Sequence, residues 1–164
     1  MLLDQFRAAA QREPEWWEQV GDLLAEHGEA RGLHLAILLE PYLRFVLDRT
    51  KTVESRFSRN ACAPYGRVSA GDVVLLKRSS GPVVGMCTVT AVWDYRLTPT
   101  TWADIKQQFG PAICAQEGFW EERSDAAFAT LMTVADAREL PAIHVPKRDR
   151  RGWVVLAENG PRLL

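Results

Sequence analysis

The amino-acid sequence predicts an α+β protein that is mainly β, a small barrel with short peripheral helices and a helical N-terminal extension. Short apolar, β-branched segments recur along the chain and are separated by turn residues, which is typical of strands. Only short segments with helical spacing lie between them. At 164 residues and 47% hydrophobic residues, the chain has the size of one domain with its own core. The predicted strands are 33–39, 52–57, 73–77, 83–95, 127–138 and 153–157.

Two helices are predicted first, over 2–11 and 14–27. Pro14 suits a first helical turn, and the apolar residues that follow it recur at helical spacing. Residues 1–32 carry a net charge of −4, so the rest of the chain carries +3. We therefore expect an acidic helical extension over 1–32 and a barrel domain over 33–164. The extension is interpreted as a structural brace or, alternatively, as a lid or protein-interaction element.

A buried strand, a helix that starts with proline and a second strand are predicted over 33–39, 41–48 and 52–57. Side chains alternate along a strand, so Thr52, Glu54 and Arg56 share one face. A polar face of this kind suits the wall of a cleft.

The remaining elements follow from turn and helix signals. A loop is expected over 58–70, a hairpin turn over 79–82 and a bulge at Gly85. Thr100 or Thr101 can cap a helix that runs to Phe109, because Gly110-Pro111 breaks helical periodicity. A second short helix over 112–122 and a basic loop up to Arg151 complete the prediction.

The segment from Pro41-Tyr42 to Lys51-Thr52-Val53-Glu54-Ser55-Arg56 resembles the ASCH domain, a relative of the PUA-like barrels. The family pattern has glycine immediately before the lysine, where this chain has Thr50. The resemblance covers roughly residues 33 to 157. It implies a PUA-like barrel and a role in RNA binding. Some members of the family are hydrolases of acetylated nucleosides such as N4-acetylcytidine, or ribonucleases.

The resemblance also implies catalytic candidates. The hydrolase members use a Lys, a Thr and a Glu, which correspond here to Lys51, Glu54 and Glu117. At the position of the family's Thr, this chain therefore has the carboxylate of Glu54 in place of a hydroxyl. A desolvated lysine can act as a base or nucleophile, a glutamate as acid or base, and Arg56 can hold an anion. Thr52 can donate a hydrogen bond to a ligand. The alternative interpretation is an ion-pair network without a ligand.

A second candidate surface lies late in the chain. Lys147, Arg148 and Arg151 fall within five residues, and phosphates could bind them. A base could stack on Tyr65 or on Trp153. A solvated basic turn before a core strand explains the same residues without a ligand.

Several other classes of function are not predicted. Cys62, Cys87 and Cys114 are odd in number and far apart, which favours a reducing cytoplasm over a disulfide framework. The histidines and cysteines lack metal-ligand spacing, so no metal and no other cofactor is expected. No apolar run reaches the roughly 20 residues that span a bilayer.

Recognition of RNA, or of a nucleotide or modified nucleoside, is therefore the leading functional prediction. A hydrolase in the same cleft, either an amidohydrolase or a ribonuclease, is the first alternative. A protein-interaction module acting through residues 1–32 is the second.

Overall fold

The computed structural model describes residues 2–24, 31–146 and 150–159. Six strands and four α-helices make up most of this part of the chain, and a single 3₁₀ turn spans Glu121–Arg123. The strands are β1 Leu33–Leu38, β2 Val53–Ser58, β3 Val73–Arg78, β4 Val83–Arg96, β5 Phe128–Ile143 and β6 Trp153–Ala157. The helices are α1 Leu2–Gln11, α2 Pro14–Leu24, α3 Tyr42–Leu47 and α4 Pro99–Ile113. The α+β, mainly β class is confirmed.

All six strands belong to one mixed sheet in the order β2-β5-β4-β3-β1-β6. Only β1 and β3 pair in parallel, and the other neighbours are antiparallel. Arg56 on β2, at one end of this order, donates hydrogen bonds to the carbonyl groups of Ile37 on β1 and of Gly152. The two ends of the sheet therefore approach each other, and the sheet curls into a half-barrel.

Alternation along the strands divides the core into two layers. On β1, Leu33 and Leu35 pack in a cluster with α1 and α2, whereas Ala36 and Leu38 pack in a second cluster inside the curl. A third cluster lies under α4 and includes Val53 of β2. The inward and outward residues of one strand thus serve different layers, as the two-residue period requires.

The N-terminal helices share the core of the sheet. Trp16 is fully buried, and its indole N–H donates to the carbonyl of Pro141 on β5 at 2.6 Å. Trp17 remains 37% exposed and lies against Gly21. The predicted end of the second helix, residues 25–27, lies outside the described residues. None of the helices in the described ranges is long and apolar enough to cross a membrane.

The segment after β4 differs from prediction. Thr98 caps α4 in a capping box with Thr101, but the helix does not stop at Phe109. It continues through Pro111 to Ile113, which is fully buried with Phe109, and Cys114 ends it in the left-handed conformation. Tertiary packing of the last turn outweighs the local signal of Gly110-Pro111. The predicted separate helix over 112–122 is wrong: α4 ends at Ile113, and irregular chain, turns and the 3₁₀ segment Glu121–Arg123 follow.

The long antiparallel pair of β4 and β5 contains the predicted irregularity at Gly85. The pairing register shifts there in both neighbouring ladders. A Cβ atom at Gly85 would lie 2.5 Å from the carbonyl oxygen of Arg138, so only glycine fits without a shift. Strand β5 extends to Ile143, beyond the predicted end at 138.

Candidate functional site

An open cleft of about 400 Å³ lies beside edge strand β2. Its walls come from the end of β1 with the turn into α3, from Lys51, from β2, and from the turn segment between α4 and β5. The residues that line it are Ile37, Leu38, Leu39, Glu40, Pro41, Tyr42, Lys51, Glu54, Ser55, Arg56, Phe57, Gln116, Glu117, Phe119, Glu122 and Arg123.

Lys51 is held at the base of this cleft. Its backbone N–H donates to the carbonyl of Phe45, and its ammonium donates to the carbonyl of Ile113 at 2.8 Å. The side chain lies 5.5 Å from the ring centre of Tyr42, and only 2% of the residue is exposed. Burial lowers the pKa of Lys51, and the nearby Glu54 carboxylate opposes that shift only in part.

Glu54 lies on the face of β2 that points into the barrel. Its side chain also lines the cleft. Its carboxylate accepts a hydrogen bond from the backbone N–H of Ser55 at 2.8 Å. The same oxygen lies 3.8 Å from Nε of Arg56, and the residue is 9% exposed. A carboxylate with so few partners keeps free lone pairs for a ligand or a proton.

Arg56 lies in a fixed position between the two ends of the sheet. Nη1 donates to the carbonyl of Gly152 at 3.1 Å, and Nη2 donates to that of Ile37 at 3.0 Å. The guanidinium lies 5.4 Å from the ring centre of Trp153. Its Nε is buried without a hydrogen-bond partner, the only such side-chain atom in the described ranges.

The other residues of the motif and the predicted acid have different environments. Thr52 is exposed and does not line the cleft; its backbone pairs with Ala112 and Val134. Glu117 is exposed and lines the cleft from a turn, where a helix was predicted. The cleft therefore brings together Lys51, Glu54, Arg56 and Glu117, and it leaves Thr52 outside.

The second predicted surface is only partly within the described residues. Tyr65 lines a smaller cavity of about 180 Å³ that shares Arg56 and Phe57 with the cleft. Arg151 is exposed and precedes Gly152, which lines the same cavity. Trp153 is 4% exposed, so its ring is a core element. The predicted ligands Lys147 and Arg148 lie outside the described residues.

Several cleft residues were not predicted from the sequence. Tyr42 accepts a hydrogen bond from the backbone N–H of Gln116 through its hydroxyl and packs at 5.8 Å from Phe119. The guanidinium of Arg123 lies 3.7 Å from the ring centre of Phe119, and burial lowers its pKa. The density of aromatic residues around 119–120 was the only sequence signal for this wall.

Charge in the cleft is mixed. Three cations line it, namely Lys51, Arg56 and Arg123, together with four carboxylates, Glu40, Glu54, Glu117 and Glu122. A lining with an excess of carboxylates does not attract a run of phosphates. Within the described residues, no group of three or more His, Cys, Asp or Glu side chains is arranged to hold a metal ion.

The fold is similar to that of known structures. A crystal structure of ASCH from Zymomonas mobilis superposes with a TM-score of 0.60 at 13% identity, covering 76% of this chain and 87% of that one. A serine-to-alanine variant of the Zymomonas protein gives 0.62 at 13% identity, with coverages of 80% and 92%. A tyrosine-to-phenylalanine variant gives 0.61 at 14% identity, with coverages of 79% and 93%.

No protein-family model matches the chain, and no curated protein matches it in sequence. The chain nevertheless has an ASCH-like fold, so the PUA-like barrel that the motif implied is confirmed.

Proposed function

We propose that the cleft recognises RNA or a nucleotide-sized ligand by taking up one nucleoside unit. The observation that carries this proposal is the combination of aromatic walls with buried polar groups in one open cleft of about 400 Å³. Small-molecule sites have volumes of about 300–1,000 Å³ and pair mostly apolar walls with a few convergent polar groups.

The aromatic walls suit a planar base. Tyr42 and Phe57 are half-buried and line the cleft from two different segments, and the buried ring of Phe119 packs against both of them. Sequence-specific RNA readers take unstacked bases onto such rings and bind their edges with polar groups. Gln116 and Glu117 stand at the exposed side, and Glu54 stands at the buried side.

The charge pattern favours a base or ribose as the part that enters. With four carboxylates against three cations, a phosphate gains little inside the cleft. A neutral base with N–H donors, by contrast, meets several acceptors. Modified bases fit the same description, because the cleft is open to solvent on one side.

The experiment is a calorimetric titration of the protein with the four ribonucleosides and with N4-acetylcytidine. At least one nucleoside should bind, and Glu117→Gln should weaken it. Glu121→Gln is the matched control, because Glu121 is exposed on the same segment but does not line the cleft. The proposal would be contradicted if none of the five nucleosides bound. It would also be contradicted if the wild type and both variants bound the nucleoside with equal affinity.

Hydrolysis in the same cleft is a second candidate, favoured by Lys51. Burial lowers the pKa of Lys51, which raises the fraction of neutral amine near neutral pH. A neutral amine beside a carboxylate can take the proton of an attacking water, which would cleave an N-acyl bond into amine and carboxylic acid.

This candidate predicts turnover of N4-acetylcytidine, or of short RNA, that Lys51→Met abolishes. Methionine keeps the length of the side chain without its amine. Lys106→Met is the control, since Lys106 is an exposed lysine on α4 outside the cleft. Binding without turnover would leave the protein as a recognition domain.

A further inference from the structure

The second cavity shares a wall with the cleft. Its volume is about 180 Å³, enough space for about six waters at ~30 Å³ each. Arg56 and Phe57 line both spaces, so the two are adjacent and the Arg56 guanidinium lies between them. The cleft is more than twice as large, and the two volumes therefore suit ligand groups of different size.

The chemistry of the second cavity also suits a planar ring. Tyr65 lines it and packs against Phe128 with ring centres 5.0 Å apart, which fixes the orientation of the phenol. The Thr130 hydroxyl donates to Asp94 at 2.7 Å and keeps its own acceptor capacity. Cys62 is exposed at the rim. Aromatic rings with a few fixed polar groups are the means by which single-stranded RNA bases are held.

Arg56 supplies the charge between the two spaces. Among the described residues that line the second cavity, it is the only charged one. A guanidinium has five N–H donors, and the carbonyls of Ile37 and Gly152 occupy two of them. The side chain is 21% exposed, so further hydrogens on Nη1 and Nη2 remain for an anion. The position between two ring-sized spaces is where a phosphodiester joins neighbouring nucleosides.

We propose that the cleft and the second cavity form a two-part site for two adjacent nucleotides of single-stranded RNA. One nucleoside enters the cleft, the phosphodiester passes Arg56, and the neighbouring base enters the Tyr65 cavity. This inference rests on the proposed function of the cleft. It extends that function from a nucleoside to a dinucleotide step and assigns Tyr65 the role of a stacking residue.

The test compares four ribonucleosides with the dinucleotides CpC, UpU, ApA and GpG by NMR titration. The dinucleotide of the best nucleoside should bind at least about fivefold more tightly than the nucleoside, the lower end of what one stacked base contributes. Tyr65→Ala should remove this gain without changing nucleoside affinity, and Tyr65→Phe should retain it. Tyr95→Ala is the matched control, because Tyr95 is half-buried on a different surface.

A second measurement needs no variant. Cys62 lines the second cavity and is exposed, whereas Cys87 is buried and Cys114 does not line that cavity. The dinucleotide should slow alkylation of Cys62 by iodoacetamide, resolved by peptide mapping, while the nucleoside alone should not. Cys114 provides the internal reference.

The possible outcomes separate the two proposals. If neither nucleosides nor dinucleotides bind, the proposed function of the cleft itself fails. If nucleosides bind and dinucleotides gain nothing, the cleft stands and the two-part site is overturned. A gain that survives Tyr65→Ala and leaves Cys62 unprotected would also overturn it, because the second base would then lie elsewhere.

Discussion

The indole N–H of Trp153 donates to Nδ1 of His34 at 3.2 Å, and Nε2 of the same imidazole contacts the Asp72 carboxylate at 2.9 Å. Because Nδ1 accepts a hydrogen bond, the proton of the neutral ring lies on Nε2 and is donated to Asp72. Both ring nitrogens are thus satisfied in a side chain that is 1% exposed. Protonation of Nδ1 would place two N–H groups face to face.

A pH dependence of stability follows from this arrangement. Burial lowers the pKa of His34 from 6.5, while Asp72 opposes the shift and Arg67 adds to it. The unfolded chain therefore binds the proton at a higher pH than the folded one, and stability is lost as the pH falls below about 6.5. Chemical denaturation between pH 7.5 and 5.5 should show a steeper loss for wild type than for His34→Gln, by at most about 1.4 kcal/mol per pH unit. Parallel profiles would contradict a neutral, buried histidine.

Removal of the Arg56 guanidinium should destabilise the half-barrel. Arg56→Met leaves the carbonyl groups of Ile37 and Gly152 without this donor, at a cost of about 2–3 kcal/mol in the free energy of unfolding. Arg59→Met is the matched control, since Arg59 forms only an exposed ion pair with Asp125 and should cost less than about 1 kcal/mol. Urea denaturation measures both. Equal effects of the two substitutions would argue against closure of the sheet through Arg56.

The N-terminal helices should act as a brace. Trp16→Ala empties a fully buried site and should cost about 3–5 kcal/mol, whereas Trp17→Ala, at a neighbouring 37% exposed site, should cost under about 1 kcal/mol. Neither change should alter nucleoside affinity at 25 °C, where both proteins remain folded. If the helices instead formed a lid over the cleft, loss of their tryptophan contacts would make nucleoside binding tighter. That result would contradict the brace interpretation.

Affinity for single-stranded RNA should depend only weakly on salt. The cleft holds more carboxylates than cations, so few phosphates are neutralised and the slope of log K against log salt should be shallow. Lys147 and Arg148 should contribute to the affinity for RNA. The variant with alanine at both positions should therefore bind RNA less tightly, and its slope of log K against log salt should be smaller. Fluorescence anisotropy at two salt concentrations tests this. A double variant with unchanged affinity would remove these residues from the RNA site.

The elements that the sequence predicts well are those with strong local signals. The segment from β1 through α3 to β2 combines a buried apolar run, a proline at the helix start and alternating polar residues, and its bounds agree within two residues. Alternation then places Glu54 and Arg56 on one face of β2, and Lys51 lies two residues before the start of that strand. The alternation does not tell which strand face meets the cleft, because β2 is an edge strand and the cleft wraps around it.

The parts that escape prediction depend on distant contacts. α4 continues past Gly110-Pro111 because the third cluster buries Ile113, which no local pattern reveals. Arg123 belongs to the cleft only because the turn segment folds back onto Tyr42 and β2. Thr52 looks like a site residue by alternation, yet it is exposed outside the cleft, where its backbone bonds to Ala112 and Val134.

Binding of a nucleoside unit in the cleft beside β2 can be located by backbone amide NMR shifts of the full chain, titrated with the tightest-binding ribonucleoside. We expect the largest shifts in residues 37–42, 51–57 and 116–123, while residues of α1 and α2 stay unchanged. Shifts confined to other surfaces, or no saturable shifts with any ribonucleoside, would contradict it.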